Sequence, residues 1–196
     1  MGRRRHGGAD ERPIVRRLLI VFVGVAVIGV AAFAILRQEP DFVQRIRYPL
    51  RYEAIVRGHA RNYDLDPALL AAVIYTESRF DARARSNAGA MGLMQLLPDT
   101  ARGIAVRTGG NAFVVDDLYV PELNVRYGAW YLRNLLDRYG DERTALAAYH
   151  AGQGNVDSWR KQRVGIQFPE TRSYVAKVER VKGIYTDTYA SELGLR

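Results

Sequence analysis

One glutamate in this sequence sits where a carboxyl group could keep its proton. The stretch from Asp66 to Ser78 reads as a helix, with Asp66 as N-cap and Pro67 at the first helical position, where a missing N–H costs nothing. Leu70, Val73, Ile74 and Glu77 follow at spacings of three and four, so they share one face. Glu77 therefore continues an apolar stripe, where burial raises a carboxyl pKa and holds the proton a general acid gives up. The bland alternative is a surface Glu in a last helical turn, the commoner place for any single Glu. The next motif weighs against it. Ser86-Asn-Ala-Gly-Ala-Met-Gly-Leu-Met-Gln95 is a glycine-bearing loop that can return beside the acid and offer amide groups to a substrate. No second carboxylate has a motif behind it: Asp81 reads as a turn or cap residue, and Asp99, Asp116 and Asp117 cannot be placed.

Glu77-Ser78, the run from Gly92 to Gln95, Ala148-Tyr-His-Ala-Gly152 and Tyr174, in that order and spacing, resemble the lytic transglycosylase family that cleaves bacterial peptidoglycan. The resemblance covers residues 50–190. It implies a mostly α (α+β) lysozyme-like fold and cleavage of the β-1,4 bond between N-acetylmuramic acid and N-acetylglucosamine. Glu77 would protonate the bridging oxygen and then accept the proton of the muramic C6 hydroxyl, closing a 1,6-anhydro ring. An internal nucleophile needs no second carboxylate, unlike the paired acids of ordinary glycosidases. The resemblance also implies roles around the acid. Ser78 would fix the end of its helix, and Ser86 would lie near carboxylate and substrate. Gly92 belongs to the loop, Met94 would form an apolar wall, and Gln95 would bond substrate polar groups. Tyr149 and Tyr174 would line the site, Tyr174 orienting Glu77.

This chain departs from the family at His150, where the family has Asn. Imidazole still makes a hydrogen bond, but it is bulkier and ordinarily titrates near pH 6.5. Two other readings stay open: a lysozyme-type hydrolase in which water attacks, and a non-catalytic peptidoglycan-binding or assembly protein. A chitin-directed enzyme is a lesser option. No cofactor is implied. Metal binding is not expected, because there is no cysteine, no HExxH, and only His6, His59 and His150. Gly152-Gln-Gly154 is no phosphate loop, since no strand precedes it and the third glycine is missing.

The elements that must hold these residues are helical. The pattern predicts a helix over 49–63 with Leu50, Ala54, Val56 and Ala60 inward, and the Glu77 helix after it. Pro98 opens another that stops at Gly109-Gly110. Residues 112–115 could form a short extended piece. Val125, Gly128, Ala129, Leu132, Leu135, Leu136 and Tyr139 give a broad apolar face to a helix over 124–139, with Gly140 as its stop. Asp141 caps a helix over 142–150, residues 154–160 form one short turn, and Pro169 opens a last helix that frays after Ile184.

Charge and hydropathy separate the N-terminal segment from the rest. Residues 1–17 form a basic N-terminus, 18–36 a charge-free run, 37–47 a tether and 48–196 the catalytic domain. A 19-residue helix spans roughly 28 Å, close to the hydrocarbon thickness of a bilayer. Arg3, Arg4, Arg5, Arg12, Arg16 and Arg17 precede it, which places the N-terminus in the cytoplasm and the domain outside. A signal peptide cleaved at Ala32-Phe-Ala34 is the competing reading, but the apolar run is too long and continues through that point. Of the net charge of +8, residues 1–37 supply +5, so most of the basicity reflects membrane topology and argues against nucleic acid as a partner. The expected partners are peptidoglycan strands and, through the N-terminal helix, a membrane.

Overall fold

The centre of the fold is a helix buried on every side. The computed structural model describes the backbone of residues 12–37, 41–110 and 112–195, and within them the side chains other than those of 12–16 and 30–37. In chain order the helices are α1 Arg12–Arg37, α2 Asp41–Arg47, α3 Glu53–Asn62, α4 Pro67–Ser78, α5 Pro98–Thr108, a 3-10 turn Val115–Tyr119, α6 Pro121–Tyr139, α7 Glu142–Ala151, α8 Gln153–Lys161 and α9 Pro169–Thr188. Among the described residues there is no strand, only isolated antiparallel bridges joining Met91 to Arg85 and to Leu96.

α4 starts as its sequence dictates. The Asp66 carboxylate accepts the Ala68 N–H at 2.8 Å, and Pro67 occupies the first turn. The single apolar stripe expected here is too narrow a description, because every residue from Ala68 to Tyr75 is buried. A helix apolar all round belongs in a core, and α4 packs against α3 and α9. Its end is abrupt. Arg79 and Phe80 take left-handed φ of 54° and 63°, a cost of roughly 1–2 kcal/mol each for residues other than glycine. Phe80 offsets its share by burying its ring edge-on to Tyr185 at 6.3 Å. Lys182 of α9 reaches both Asp66 and Glu142, at 3.2 and 2.8 Å, tying together the starts of α4 and α7.

Several boundaries differ from the sequence pattern. α3 begins only at Glu53, because Tyr52 holds a left-handed φ of 54° at its N-cap. Of residues 112–115 Val114 is extended, but they form no strand, and Val115 already opens the 3-10 turn, with Asp117 Oδ2 accepting the Val114 N–H at 2.9 Å. α6 starts three residues early, at Pro121, whose fixed φ suits a first turn. α8 is a helix of 9 residues rather than one turn, held by buried Val156 and Trp159. α9 runs on to Thr188 instead of fraying, because Tyr185 is buried and donates to the Pro49 carbonyl at 3.0 Å.

The chain divides into two units, Met1–Val43 and Gln44–Arg196. In the first, Leu18, Ile20, Phe22 and Ile28 of α1 are all exposed. Among the described residues no helix is long and apolar enough to cross a membrane, and the apolar run over 18–36 extends beyond the described side chains. In the second unit the last residues of the expected tether are already part of the globule: Arg45 of α2 pairs with Glu192 at 2.7 Å.

Between α4 and α5 the chain forms a loop over 79–97, fixed to α6 by one buried side chain. Asn124 Oδ1 accepts the Met94 N–H at 2.8 Å, while Nδ2 donates to the carbonyls of Met91 at 3.0 Å and Leu118 at 2.8 Å. Gly92 sits against this amide with a left-handed φ of 77°, and a Cβ there would run into the Leu118 carbonyl and Asn124 Nδ2. Gly92→Ala therefore strains the backbone and pushes apart a buried hydrogen-bonded contact. It should cost about 2–4 kcal/mol in urea unfolding, whereas Gly154→Ala, inside α8 with open space around it, should be neutral or slightly stabilising.

Candidate active site

Glu77 stands in the last turn of α4, where the helix meets a cleft of about 440 Å³. Ser86, Gln95, Tyr131, Tyr149 and His150 line this cleft with it, and Glu77 is the sole carboxylate among the described lining residues. Tyr174 of α9 donates its hydroxyl to Glu77 Oε1 at 2.7 Å. Burial is the largest influence on the acid and raises its pKa from 4.5 to about 7, while the Tyr174 hydrogen bond and the charge of Lys177 pull the other way. Near neutral pH, Glu77 is therefore divided between its acid and its carboxylate forms.

The groups around it are mostly neutral. Burial, followed by the charge of Glu77, holds the Tyr149 and Tyr174 hydroxyls well above the ordinary phenol range, so both remain donors. Tyr149 donates to the Met94 carbonyl at 2.8 Å and packs against Tyr131 at 5.5 Å between ring centroids. His150 lies over the ring of Tyr174 at 4.5 Å, with Nδ1 3.0 Å from Thr171 Oγ1. Burial lowers its pKa below the usual 6.5, against the opposing charge of Glu170, so the imidazole is neutral at pH 7. Lys177, one helical turn beyond Tyr174, is depressed by burial and by Arg79.

The structure places the residues singled out in the sequence in two groups. Glu77, Ser86, Gln95, Tyr149 and His150 share the cleft, and Tyr174 touches the acid directly. Ser86 closes its own turn, its Oγ accepting the Ala90 N–H at 3.0 Å. Gln95 is only partly available to a ligand: Nε2 donates to Ala84 and Gly92 carbonyls at 3.1 and 3.0 Å, and Oε1 is left for other contacts. Ser78, Gly92 and Met94 lie behind the cleft. Ser78 Oγ donates to the Leu93 carbonyl at 2.8 Å, clamping the returning loop to the end of α4. Met94 forms no wall of the cleft. It is fully buried, its thioether filling the space that the missing Cβ of Gly128 leaves on α6.

Two residues escaped the sequence reading. Asn124 carries the loop, and its only signal was a polar side chain opening an otherwise apolar helical face. Tyr131, which walls the cleft, had no signal beyond its place in an aromatic run. Among the described residues no three His, Cys, Asp or Glu side chains come together as a metal site. Asp81 takes the turn role its position suggests, accepting the Arg83 N–H at 2.9 Å.

Comparison with known proteins gives this arrangement relatives. The family model "Transglycosylase SLT domain" matches residues 54–168. A transglycosylase of the Enterobacteria phage PRD1 is 40% identical over 129 residues, which span 66% of this chain and 42% of the phage protein. Among solved structures, an inactive mutant of the lytic transglycosylase Slt from Pseudomonas aeruginosa aligns with a TM-score of 0.67 and 35% identity, over 73% of this chain and 25% of that one. The 70-kDa soluble lytic transglycosylase of Escherichia coli aligns with a TM-score of 0.70 and 27% identity, over 78% and 26%. This chain thus spans less than half the length of each.

The buried acid has a consequence for stability that involves no substrate. Its folded pKa of about 7 lies above its ordinary 4.5, so its proton favours the fold. That contribution is complete below pH 4.5 and is lost as pH rises through 7. Glu77→Gln, always neutral, avoids this loss. The variant should match the parent at pH 5 in thermal unfolding and exceed it by about 1–3 kcal/mol at pH 8.5. Equal stability at both pH values would contradict the burial of the charge.

Proposed function

The chain belongs to the transglycosylase SLT domain family, and from that premise we propose that it is a peptidoglycan lytic transglycosylase working with Glu77 as its single acid and base. The observation that carries this reading is one carboxyl group, poised near pH 7, with no second carboxylate among the described residues that line its cleft. The protonated acid gives its proton to the oxygen bridging N-acetylmuramic acid and N-acetylglucosamine. The resulting carboxylate then takes the proton of the C6 hydroxyl as that oxygen attacks the anomeric carbon. The nucleophile is already tethered to the reacting sugar, so no base for water is needed. The muramic N-acetyl group is expected to assist.

In this reading the supporting residues divide the work. Tyr174 holds the Glu77 carboxyl in one orientation and stabilises its ionised form after the first proton leaves. Gln95 Oε1, Ser86 and the neutral His150 offer hydrogen bonds along the cleft to sugar hydroxyl and acetamido groups. We further propose that the apolar residues over 18–36 anchor the protein in a membrane. Apolar side chains exposed around α1, with arginines preceding them, support this arrangement. The basic N-terminus would then be cytoplasmic and residues 48–196 extracytoplasmic, where the wall is.

Product chemistry tests the reaction. Muropeptides released from purified sacculi should end in 1,6-anhydromuramic acid and resist borohydride. Reducible ends as the main product would make the protein a hydrolase. Glu77→Gln should remove activity by at least about 10³-fold while keeping the fold. Tyr174→Phe tests the positioning of the acid. It removes a hydrogen bond that favours the ionised form, so the alkaline limb of the pH–rate profile should move to higher pH as the maximal rate falls. An unmoved limb would sever Tyr174 from the titration of Glu77.

A further inference from the structure

His150, where the family has Asn, stands in the last turn of α7 and reaches across to α9. Its Nδ1 lies 3.0 Å from Thr171 Oγ1, and its ring lies over that of Tyr174, with centroids 4.5 Å apart and planes 32° from parallel. Thr171 and Tyr174 are three residues apart on α9, so they share one face, and both are buried. Tyr174 in turn donates to Glu77 Oε1 at 2.7 Å. One imidazole therefore touches both ends of the α9 turn whose phenol meets the acid.

The two contacts do different things. Thr171 fixes the rotation of the imidazole whichever ring nitrogen carries the proton, because a hydroxyl can donate or accept. The ring face then limits the swing of Tyr174. A phenol with no ring on this side could tilt away from Glu77, and a hydrogen bond weakens as it lengthens or bends. Asparagine cannot repeat this arrangement. Its amide places an oxygen or a nitrogen about where His150 has Nδ1, so a bond to Thr171 survives. It lacks the outer edge of the ring, and with it the stacking surface. Burial keeps His150 below its usual pKa against the charge of Glu170, so at neutral pH the ring meets the phenol uncharged. Around Glu77 the titratable groups are Tyr149 on α7 and Tyr174 and Lys177 on α9.

Resting on the reading of Glu77 as the acid, we infer that His150 is a positioning residue, which stacks on Tyr174 and so holds the phenol hydroxyl on the Glu77 carboxyl. The role requires no contact with substrate. It is additional to the hydrogen bonds that the imidazole offers to sugars. The Tyr174 bond favours the ionised acid, so loosening it raises the pH at which Glu77 titrates.

The test follows the Glu77 carboxyl by carbon-13 NMR in the full chain without substrate, where contacts between His150 and sugar contribute nothing. His150→Asn removes the stacking surface, but the smaller side chain also admits water to the acid, which lowers the midpoint by a separate route. A double-mutant cycle with Tyr174→Phe separates the two, since only the first acts through the phenol hydroxyl. The change in midpoint caused by His150→Asn should be more positive in the parent than in Tyr174→Phe, by about half a pH unit. His150→Phe keeps an aromatic face while giving up the Thr171 bond, and its midpoint should stay closer to the parental one. Thermal unfolding checks that each variant is folded. Equal changes in the two backgrounds would overturn the inference, as would a midpoint for His150→Phe no closer to the parent than that of His150→Asn. Product chemistry fails separately. A parent that releases no anhydromuramic ends removes the transglycosylase reading while the coupling stands, and absent coupling in a parent that releases them overturns the role of His150 alone.

Discussion

A carboxyl group kept out of water at the end of a wholly buried helix is the constraint that orders the rest of this structure. Burying α4 on all sides leaves Glu77 few neighbours able to solvate a negative charge, and its pKa rises to about 7. The helix adds to this, because a carboxylate near a C-terminus meets the negative end of the peptide dipoles. Two features hold the acid short of permanent neutrality. Tyr174 hydrogen-bonds the carboxyl at 2.7 Å, and Lys177 lies close enough to favour its charge. In the proposed mechanism the acid gives up a proton and then takes one back, and a pKa far from the working pH would serve only one of those two steps.

The cleft beside the acid depends on a different economy, in which buried polar groups hold a loop with little regular structure. Asn124 satisfies three backbone groups, Ser78 a fourth at Leu93, and Tyr149 a fifth at Met94. Backbone groups buried without partners would cost about 1–3 kcal/mol each. Four of those bonds join α4, α6 and α7 to the same short run of chain, and the one from Asn124 to Leu118 ties α6 to the 3-10 turn. Gly92 and Gly128 allow the close approach: one accepts a left-handed turn against the Asn124 amide, and the other leaves room for the Met94 side chain. Apart from Tyr149, the side chains that hold the loop do not line the cleft.

Much of this was legible in the sequence, for identifiable reasons. Asp66-Pro67 announces the start of α4, and Glu77 on its apolar continuation announces the acid, because capping and periodicity are local. The mostly helical class follows from helical patterns separated by proline and glycine, and the lysozyme-like fold from the family resemblance. What local patterns miss is whatever packing decides. Ala68, Ala71 and Ala72 look neutral by periodicity, yet they make α4 small enough to be enclosed on all sides. Asn124 has no local signal of its role, which appears only when three backbone groups are found around its buried amide. Met94 sits in the right motif, but its side chain points into α6 because Gly128 leaves the space. α9 continues past Ile184 only because Tyr185 has a buried place and the Pro49 carbonyl to bond.

The central claim is that Glu77 titrates near neutrality in the folded protein before any substrate is bound. The most direct measurement follows its side-chain carboxyl by carbon-13 NMR across pH 4 to 9, with Glu77→Gln identifying the resonance. The account predicts a midpoint of about 7, well above those of the exposed glutamates. A midpoint near 4.5 would mean that the carboxylate is solvated and ionised at neutral pH, and the single-acid mechanism would lose its proton donor.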